Sequence, residues 1–193
     1  MKTLCVYCGS NAGARPNYLH TARQLGHLLV ERQIGLVYGG ASVGMMGAIA
    51  NAVLSAGGHV TGVIPADLVD KEIAHKNLPD LRVVGSMHER KQLMADLSDG
   101  FIALPGGLGT FEEFFEVVTW GQLGFHTKPC GLLNVCGYYD KLLDFLDSAV
   151  QERLVRPEHR AIILQSPDAA ELLEQMAAYQ PPTVEKWLDR RTA

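Results

Sequence analysis

Two short segments of the sequence carry the charged and glycine-rich residues that could do chemistry. The segment LPGGLGTFEE, residues 104–113, places three glycines just before the adjacent carboxylates Glu112 and Glu113. The segment MHERK, residues 87–91, contains Arg90 and Lys91. A glycine-rich turn that opens a helix favours an anion, because free N–H groups and the positive end of the helix dipole point outward there. The pattern therefore predicts an anion site with carboxylates close beside it.

The charged residues also have simpler interpretations. Thr110-x-x-Glu113 has the spacing of a capping box, in which Glu113 accepts a hydrogen bond from the Thr110 N–H. For Glu113 taken alone, that interpretation is the favoured one. Glu112 alone fits a solvated residue in the first helical turn, where the helix dipole favours a negative charge. Arg90 has a forked set of donors suited to phosphate or carboxylate, yet most arginines are surface charges.

The glycine-rich turns do not match the common nucleotide-binding fingerprints. The first apolar run ends in GSNAGARP, without G-x-G-x-x-G, and the second ends in YGGA, without an acidic residue for a ribose hydroxyl. No G-x-x-x-x-G-K-[ST] motif is present. Two such turns nevertheless enter predicted helices, at Gly44 and at Thr110. If both lie on one edge of a sheet, they predict phosphate binding by backbone N–H groups.

Short apolar runs alternate with segments of helical periodicity along the chain. Seven runs predict strands that are covered on both faces, namely 3–10, 34–40, 59–65, 81–86, 100–107, 128–135 and 161–165. Between and after them, six segments predict helices: 18–32, 44–56, 87–98, 110–124, 138–151 and 167–178. This order predicts an α/β fold, a Rossmann-like doubly wound parallel sheet. We expect one domain over residues 1–180, a C-terminal tail over 181–193, and a surface loop over 66–79.

Composition narrows the classes of function. A chain of 193 residues with 47% hydrophobic residues and a formal net charge of −4 fits a globular protein and not a general nucleic-acid coat. No apolar run reaches membrane-spanning length and the N-terminus makes a poor signal peptide, so we expect a cytoplasmic protein. Cys5 and Cys8 form a CxxC within a predicted strand, where alternation sends them to opposite faces. We therefore expect buried thiols and no metal site.

Four segments in this order resemble the signature of the LOG ("lonely guy") family. They are CGS at 8–10, YGGASVGMMG at 38–47, MHERK at 87–91 and PGGLGTFEE at 105–113, the last matching the pattern PGGxGTxxE. The similarity extends over about residues 3 to 146. The resemblance implies a Rossmann-like fold, a homodimer and no cofactor. It also implies hydrolysis of the N-glycosidic bond of nucleoside 5′-monophosphates, cytokinin ribotides or AMP, to free base and ribose 5-phosphate.

The family's functional residues carry over onto matching positions of this sequence. The resemblance implies that Arg90 and Glu113 are catalytic. The predicted substrate contacts are Ser10, Gly44, Glu72, Lys91, Gly106, Gly107, Leu108, Gly109, Thr110, Phe111, Glu112 and Thr119. Position 108 is Leu where many members have Tyr, which could alter how the sugar or base is covered.

The implied reaction accounts for the mixture of an anion site and carboxylates. Glycosidic hydrolysis passes through an oxocarbenium-like state that is positive at C1′. The glycine-rich turns would hold the phosphate, Glu113 would face the sugar cation or accept a proton from water, and Glu112 would hold ribose hydroxyls. Two alternatives stay open: a nucleotide or cofactor carrier of the same fold, and a PLP-dependent decarboxylase with Lys91 as its Schiff-base lysine.

Overall fold

All seven predicted strands form, and they pair into one parallel sheet. The computed structural model describes residues 1–69, 74–75 and 78–182. The strands are β1 (Thr3–Tyr7), β2 (Gly35–Tyr38), β3 (Val60–Pro65), β4 (Asp80–Val84), β5 (Gly100–Ala103), β6 (Cys130–Leu133) and β7 (Ile163–Ser166). The helices are α1 (Pro16–Glu31), α2 (Gly44–Ser55), α3 (Met87–Asp96), α4 (Leu108–Leu123), α5 (Asp140–Gln151), α6 (Pro157–Arg160) and α7 (Ala169–Ala177). Single 3-10 turns occur at Ala66–Leu68 and Val135–Gly137.

The strand order places a topological switch point in the middle of the sheet. The order is β4-β3-β2-β1-β5-β6-β7, with every pairing parallel. The chain steps outward from β1 to β4, and α3 then returns it to β5 on the other side of β1. Ligands of such sheets bind beyond the carboxyl ends of the strands at this reversal. The predicted Rossmann-like doubly wound fold is confirmed.

Helices cover the sheet on both faces, as the consecutive apolar residues of the strands predict. One core packs α1, α2 and α7 against strand residues such as Leu4, Leu36 and Ile102. The other core packs α3, α4 and α5 against the alternate strand residues, among them Val37 and Phe101. Each strand is thus buried from both sides, which is why its sequence lacks a polar face.

The two cysteines of the CxxC lie in different cores. Cys5 belongs to the core beneath α4, whereas Cys8, just past the end of β1, belongs to the core beneath α1 and α2. Both are free and buried. The prediction that the strand separates them is confirmed, and the segment is a structural one.

The prediction that residues 66–79 form a surface loop is wrong for part of that segment. Ala74, His75 and Leu78 are buried. The His75 N–H donates to the Gly40 carbonyl at 2.9 Å, and the His75 ring bonds Asn51 Oδ1 at 2.9 Å. These contacts hold His75 against the end of β2 and against α2. The sequence prediction failed here because polar residues were taken as a sign of exposure, although their partners lie elsewhere in the chain.

Two other features bear on the domain boundary and on membranes. Residues 183–193, most of the predicted tail, lie outside the described residues, and the boundary at residue 180 stays a prediction. Within the described part of the chain, no helix has both the length and the apolar content needed to cross a bilayer.

Candidate active site

A cavity of about 490 Å³ lies at the switch point, beyond the ends of β1 and β5. This volume is in the range of small-molecule sites. The first turns of α2, α3 and α4 all contribute to its wall. The structure brings together eight of the predicted site residues here: Ser10, Arg90, Gly106, Gly107, Leu108, Gly109, Thr110 and Glu113.

The start of α4 supplies backbone donors to the cavity. Gly107 is the N-cap of this helix, and the Phe111 N–H makes the first bond back to the Gly107 carbonyl, at 3.1 Å. The N–H groups of Leu108, Gly109 and Thr110 precede that bond, so the helix does not use them. Since all three residues line the cavity, this turn can bind an anion.

The capping-box interpretation of Glu113 is wrong. It required Thr110 to be the N-cap, but α4 begins at Leu108 and its N-cap is Gly107, which makes no side-chain capping bond. Thr110 is instead a buried residue within the first turn. Glu113 is therefore a full turn inside the helix and projects toward the cavity.

Arg90 and Glu113 form a partly enclosed ion pair in the cavity wall. Arg90 Nη2 lies 3.6 Å from Glu113 Oε1, and only 6% and 12% of the two side chains are exposed. Arg90 comes from the first turn of α3, where Ser86 caps the helix by accepting from the Glu89 N–H. The prediction that α3 begins at the ligand rim is confirmed by the position of Arg90.

Gly39 makes room for the guanidinium at the end of β2. A Cβ on this residue would lie 2.2 Å from Arg90 Nη2 and 3.2 Å from Met46 Sδ. Both distances are shorter than ordinary contacts, so a side chain at position 39 is incompatible with the observed placement of Arg90. The sequence analysis placed this glycine in a turn that would hold phosphate and did not anticipate that it makes room for Arg90.

The Cys8 thiol lines the cavity but is held in its neutral form. Burial raises its pKa, and the nearby negative charge of Glu113 raises it further. Since the thiolate is the nucleophilic form of cysteine, Cys8 is an inert part of the wall.

Gly44 and Phe111 support the cavity wall without lining it. Gly44 has φ of +57°, and a Cβ there would lie 2.3 Å from the carbonyl of Ser10. This close approach brings the start of α2 against the loop after β1. Phe111 packs edge-on against Tyr139, with ring centroids 6.3 Å apart.

Lys91 and Glu112 lie beside the cavity and not in its wall. Lys91 Nζ donates to Glu112 Oε1 at 2.5 Å and to Glu116 Oε1 at 3.0 Å. Burial by itself lowers the pKa of Lys91, but the hydrogen bonds to the two carboxylates outweigh it and the pKa is raised. The ammonium form is therefore strongly favoured.

Two further predicted contacts are away from the cavity or undescribed. Thr119 is exposed two turns farther along α4, and its hydroxyl donates to the Phe115 carbonyl at 2.7 Å. Glu72 lies outside the described residues. The substrate roles of both residues stay predictions.

The sequence analysis missed an aromatic part of the cavity wall. The Tyr138 hydroxyl donates to the Gly106 carbonyl at 2.5 Å, and its ring meets Tyr18 edge-on, with centroids 5.8 Å apart. Tyr138 thereby braces the glycine-rich turn from the far side. The available signal was its position in NVCGYY, directly after β6 and at the same sheet edge as the other glycine-containing loops.

Among residues 1–69, 74–75 and 78–182, no three His, Cys, Asp or Glu side chains group closely enough to hold a metal ion. The polar groups of the cavity include the backbone N–H groups that open α4, the Arg90–Glu113 pair and the side chain of Ser10.

The fold and the cavity together define a Rossmann-like α/β protein with a glycine-rich helix start beside an arginine–carboxylate pair. The family described as "Possible lysine decarboxylase" matches residues 46–176. Cytokinin riboside 5′-monophosphate phosphoribohydrolase LOG7 of Arabidopsis thaliana is 53% identical over 180 residues, which cover 93% of this chain and 83% of that protein. LOGL5 of Oryza sativa subsp. japonica, named a probable enzyme of the same activity, is 54% identical over 94% of this chain and 74% of its own length. The chain belongs to the LOG family, as its four motifs predicted.

Solved structures agree on the fold. The molybdenum cofactor carrier protein of Chlamydomonas reinhardtii superposes with a TM-score of 0.68, covering 92% of this chain and 98% of its own, at 22% identity. At 22% sequence identity, this structural similarity shows a shared fold and does not show a shared ligand.

Proposed function

We propose that this protein hydrolyses the N-glycosidic bond of nucleoside 5′-monophosphates, with cytokinin ribotides or AMP as substrates. The named activity of relatives more than 50% identical supports this reaction. The observation that carries the proposal is the Arg90–Glu113 pair in the same cavity as the free N–H groups that open α4. One cavity can therefore hold a phosphate and place a carboxylate near the sugar.

In the proposed mechanism, the phosphate lies at the first turn of α4. The N–H groups of Leu108, Gly109 and Thr110 donate to phosphate oxygens, with the helix dipole adding to the attraction. Ser10, from the loop after β1, lies on the same wall and contributes a further donor. These contacts fix the nucleotide at the end remote from the bond that breaks.

Glu113 acts at the opposite end of the nucleotide. As the C1′–N bond breaks, the base leaves and positive charge develops at C1′. The Glu113 carboxylate stabilises that charge and accepts a proton from water, whose hydroxyl adds to C1′. The base, which leaves with the electron pair of the broken bond, then takes up that proton, and the carboxylate is restored. Arg90 stays charged in proteins, so its role is to hold the carboxylate and not to donate a proton.

The state of Lys91 supports hydrolysis over PLP chemistry. A lysine that forms Schiff bases needs a lowered pKa so that its neutral amine is available. The pKa of Lys91 is raised, and its ammonium donates to two carboxylates. The geometry therefore does not favour the decarboxylase that the family description suggests.

The test is release of free base from purified protein. We expect adenine from AMP and isopentenyladenine from isopentenyladenosine monophosphate, separated by reversed-phase chromatography. The matching unphosphorylated ribosides should react at least about tenfold more slowly, because one charge-assisted hydrogen bond contributes about 1.5–3 kcal/mol. A carrier would bind the nucleotides in calorimetry and release no base, which would contradict the proposal.

We further expect the protein to form a homodimer and to be located in the cytoplasm. Exposed apolar side chains at the end of α4 support an interface there, because Leu123 and Phe125 are 42% and 75% exposed. Light scattering of the purified chain would test the dimer. A mass of one chain at micromolar concentration would contradict it.

A further inference from the structure

The turn between β5 and α4, residues 104–107, has all four of its backbone carbonyls engaged by donors within the protein. In order along the turn, the donors are the Tyr139 hydroxyl at 2.7 Å, the Gly9 N–H at 3.2 Å, the Tyr138 hydroxyl at 2.5 Å and the Phe111 N–H at 3.1 Å. The partial negative charge of a carbonyl oxygen repels an anion. Because each of these oxygens faces a donor of the protein, the turn leaves mainly its N–H groups for a phosphate.

Two of the four donors come from adjacent tyrosines in the loop after β6. They follow a left-handed bend, in which Cys136 and Gly137 have φ of +54° and +71°. Arg15 Nη1 donates to the Cys136 carbonyl at 3.2 Å and ties this bend to the start of α1. The ring of Tyr138 also packs edge-on against the ring of Tyr18. The Tyr138 hydroxyl is therefore held at the turn by contacts other than its own hydrogen bond.

The carbonyl that the Tyr138 hydroxyl engages belongs to a peptide unit with a free donor. The Gly106 carbonyl and the Gly107 N–H lie in one planar trans peptide, in which the two bonds point in opposite directions. Among the described residues, no acceptor takes the Gly107 N–H. Two glycines allow this peptide plane to rotate at little steric cost, so the hydrogen bond from Tyr138 selects one orientation of both groups.

We propose that Tyr138 is a positioning residue for phosphate recognition, which keeps the Gly106 carbonyl turned away from the anion and the Gly107 N–H available to it. This inference rests on the proposed function and deepens it. The hydroxyl has a single hydrogen and donates it to the Gly106 carbonyl, so it does not itself donate to a phosphate oxygen. Its contribution is to the affinity for the phosphate, at the end of the nucleotide remote from the bond that breaks.

Tyr138→Phe tests the proposal, because it removes the hydroxyl and keeps the ring against Tyr18. The Gly106 carbonyl then lacks its donor, and the peptide is free to rotate toward the phosphate. We expect KM for AMP and the calorimetric Kd of ribose 5-phosphate to rise about tenfold, the equivalent of about 1.4 kcal/mol, which is the size expected for one hydrogen bond. We expect kcat to stay within about threefold of wild type, because the reacting bond lies at the other end of the nucleotide.

Tyr139→Phe is the matched control, because it removes the adjacent hydroxyl from the Leu104 carbonyl. That carbonyl shares its peptide unit with Pro105, which has no N–H, so the Tyr139 hydroxyl orients no donor. Tyr139 is 1% exposed and Tyr138 is 38% exposed. We therefore expect Tyr139→Phe to lower Tm more than Tyr138→Phe does, and to leave KM for AMP and Kd of ribose 5-phosphate within about twofold of wild type.

Three results would overturn the inference. The first is an unchanged KM for AMP and an unchanged Kd of ribose 5-phosphate in folded Tyr138→Phe. The second is a fall in kcat at constant KM, because the hydroxyl would then act at the bond that breaks. The third is an equal rise of KM in the two variants, because the effect would then be a general loosening of the turn.

A titration of isotopically labelled wild-type protein with inorganic phosphate, followed by nuclear magnetic resonance, covers the case in which Tyr138→Phe does not fold. The amide proton of Gly107 should shift downfield together with those of the first turn of α4. If the Gly107 amide did not respond while the others did, the inference would fail. This titration needs no turnover, so it separates the inference from the proposed function. Wild-type protein that binds phosphate in this way and releases no base from AMP would contradict the hydrolase alone.

Discussion

The placement of Arg90 depends on the missing side chain of Gly39, and Gly39→Ala tests that dependence. The new Cβ would lie 2.2 Å from Arg90 Nη2, so the guanidinium must move by about 1.2 Å to reach the 3.4 Å of an ordinary contact. Arg90 is only 5% exposed and its Nη1 lies 3.8 Å from Met87 Sδ, while Met46 Sδ would lie 3.2 Å from the new Cβ. The guanidinium therefore has little space in which to move while keeping its place next to Glu113.

The expected effect is on catalysis and not on folding. Gly39 is not among the residues with positive φ, so its backbone accepts alanine. A displacement of about 1 Å can cost about 100-fold in rate, and we expect kcat/KM for AMP to fall by about that factor. The assay is initial-rate release of adenine, with circular dichroism and thermal unfolding to verify that the variant folds.

Gly35→Ala is the matched control, because it adds the same methyl group at the other end of β2. There the nearest atoms would lie 3.8 Å from the new Cβ, and we expect wild-type kinetics. If folded Gly39→Ala kept wild-type kcat/KM, the position of the guanidinium relative to Glu113 would not matter for turnover. The assigned role of Arg90 would then be refuted.

Three further predictions test the carboxylate, a core hydrogen bond and the pH dependence of stability. Glu113→Gln should lower kcat by about 10²–10⁴, the usual contribution of general acid–base help, with nucleotide binding retained in calorimetry; turnover at the wild-type rate would remove Glu113 from the mechanism. Tyr139→Phe removes a buried bond of 2.7 Å to the Leu104 carbonyl and should lower the free energy of unfolding by about 1–3 kcal/mol in urea. Burial lowers the pKa of His126 below 6.5. In the folded protein, Nδ1 of its ring accepts a hydrogen bond from the Lys128 N–H, and Nε2 forms a hydrogen bond with the Val117 carbonyl. The folded state disfavours the protonated ring, so His126 does not reduce the free energy of unfolding above pH 6.5. Below pH 6.5 the free energy of unfolding falls as the pH drops toward the folded pKa. His126→Gln should flatten that part of the curve of Tm against pH, and an unchanged slope would contradict the assignment.

Much of the fold was predictable because it depends on near neighbours in the sequence. Consecutive apolar residues predicted all seven strands, and spacings of three and four predicted the six longer helices within a few residues at each end. The separation of Cys5 from Cys8 followed from alternation along one strand. The short helix α6 was not predicted, since four residues carry no periodic signal.

The start of α4 shows where local patterns mislead. Thr110 and Glu113 have the spacing of a capping box, but the helix begins two residues earlier at Leu108. A threonine with a glutamate three residues later satisfies the pattern wherever the helix begins. The turn after β5, braced by the Tyr138 hydroxyl on the Gly106 carbonyl, fixes the actual start.

The sequence by itself determined the order of strands and helices, the coverage of the sheet on both faces, and the family through four motifs. Only the tertiary structure decided which side chains meet. Arg90 and Glu113 are 23 positions apart, and their pairing depends on how α3 and α4 pack across β5. The same packing directs Lys91 to Glu116 and gives Gly39 its role beneath the guanidinium. The periodicity of apolar residues indicates which face of a helix or strand is buried. Contacts between elements depend instead on the distances and angles at which the helices pack on the sheet.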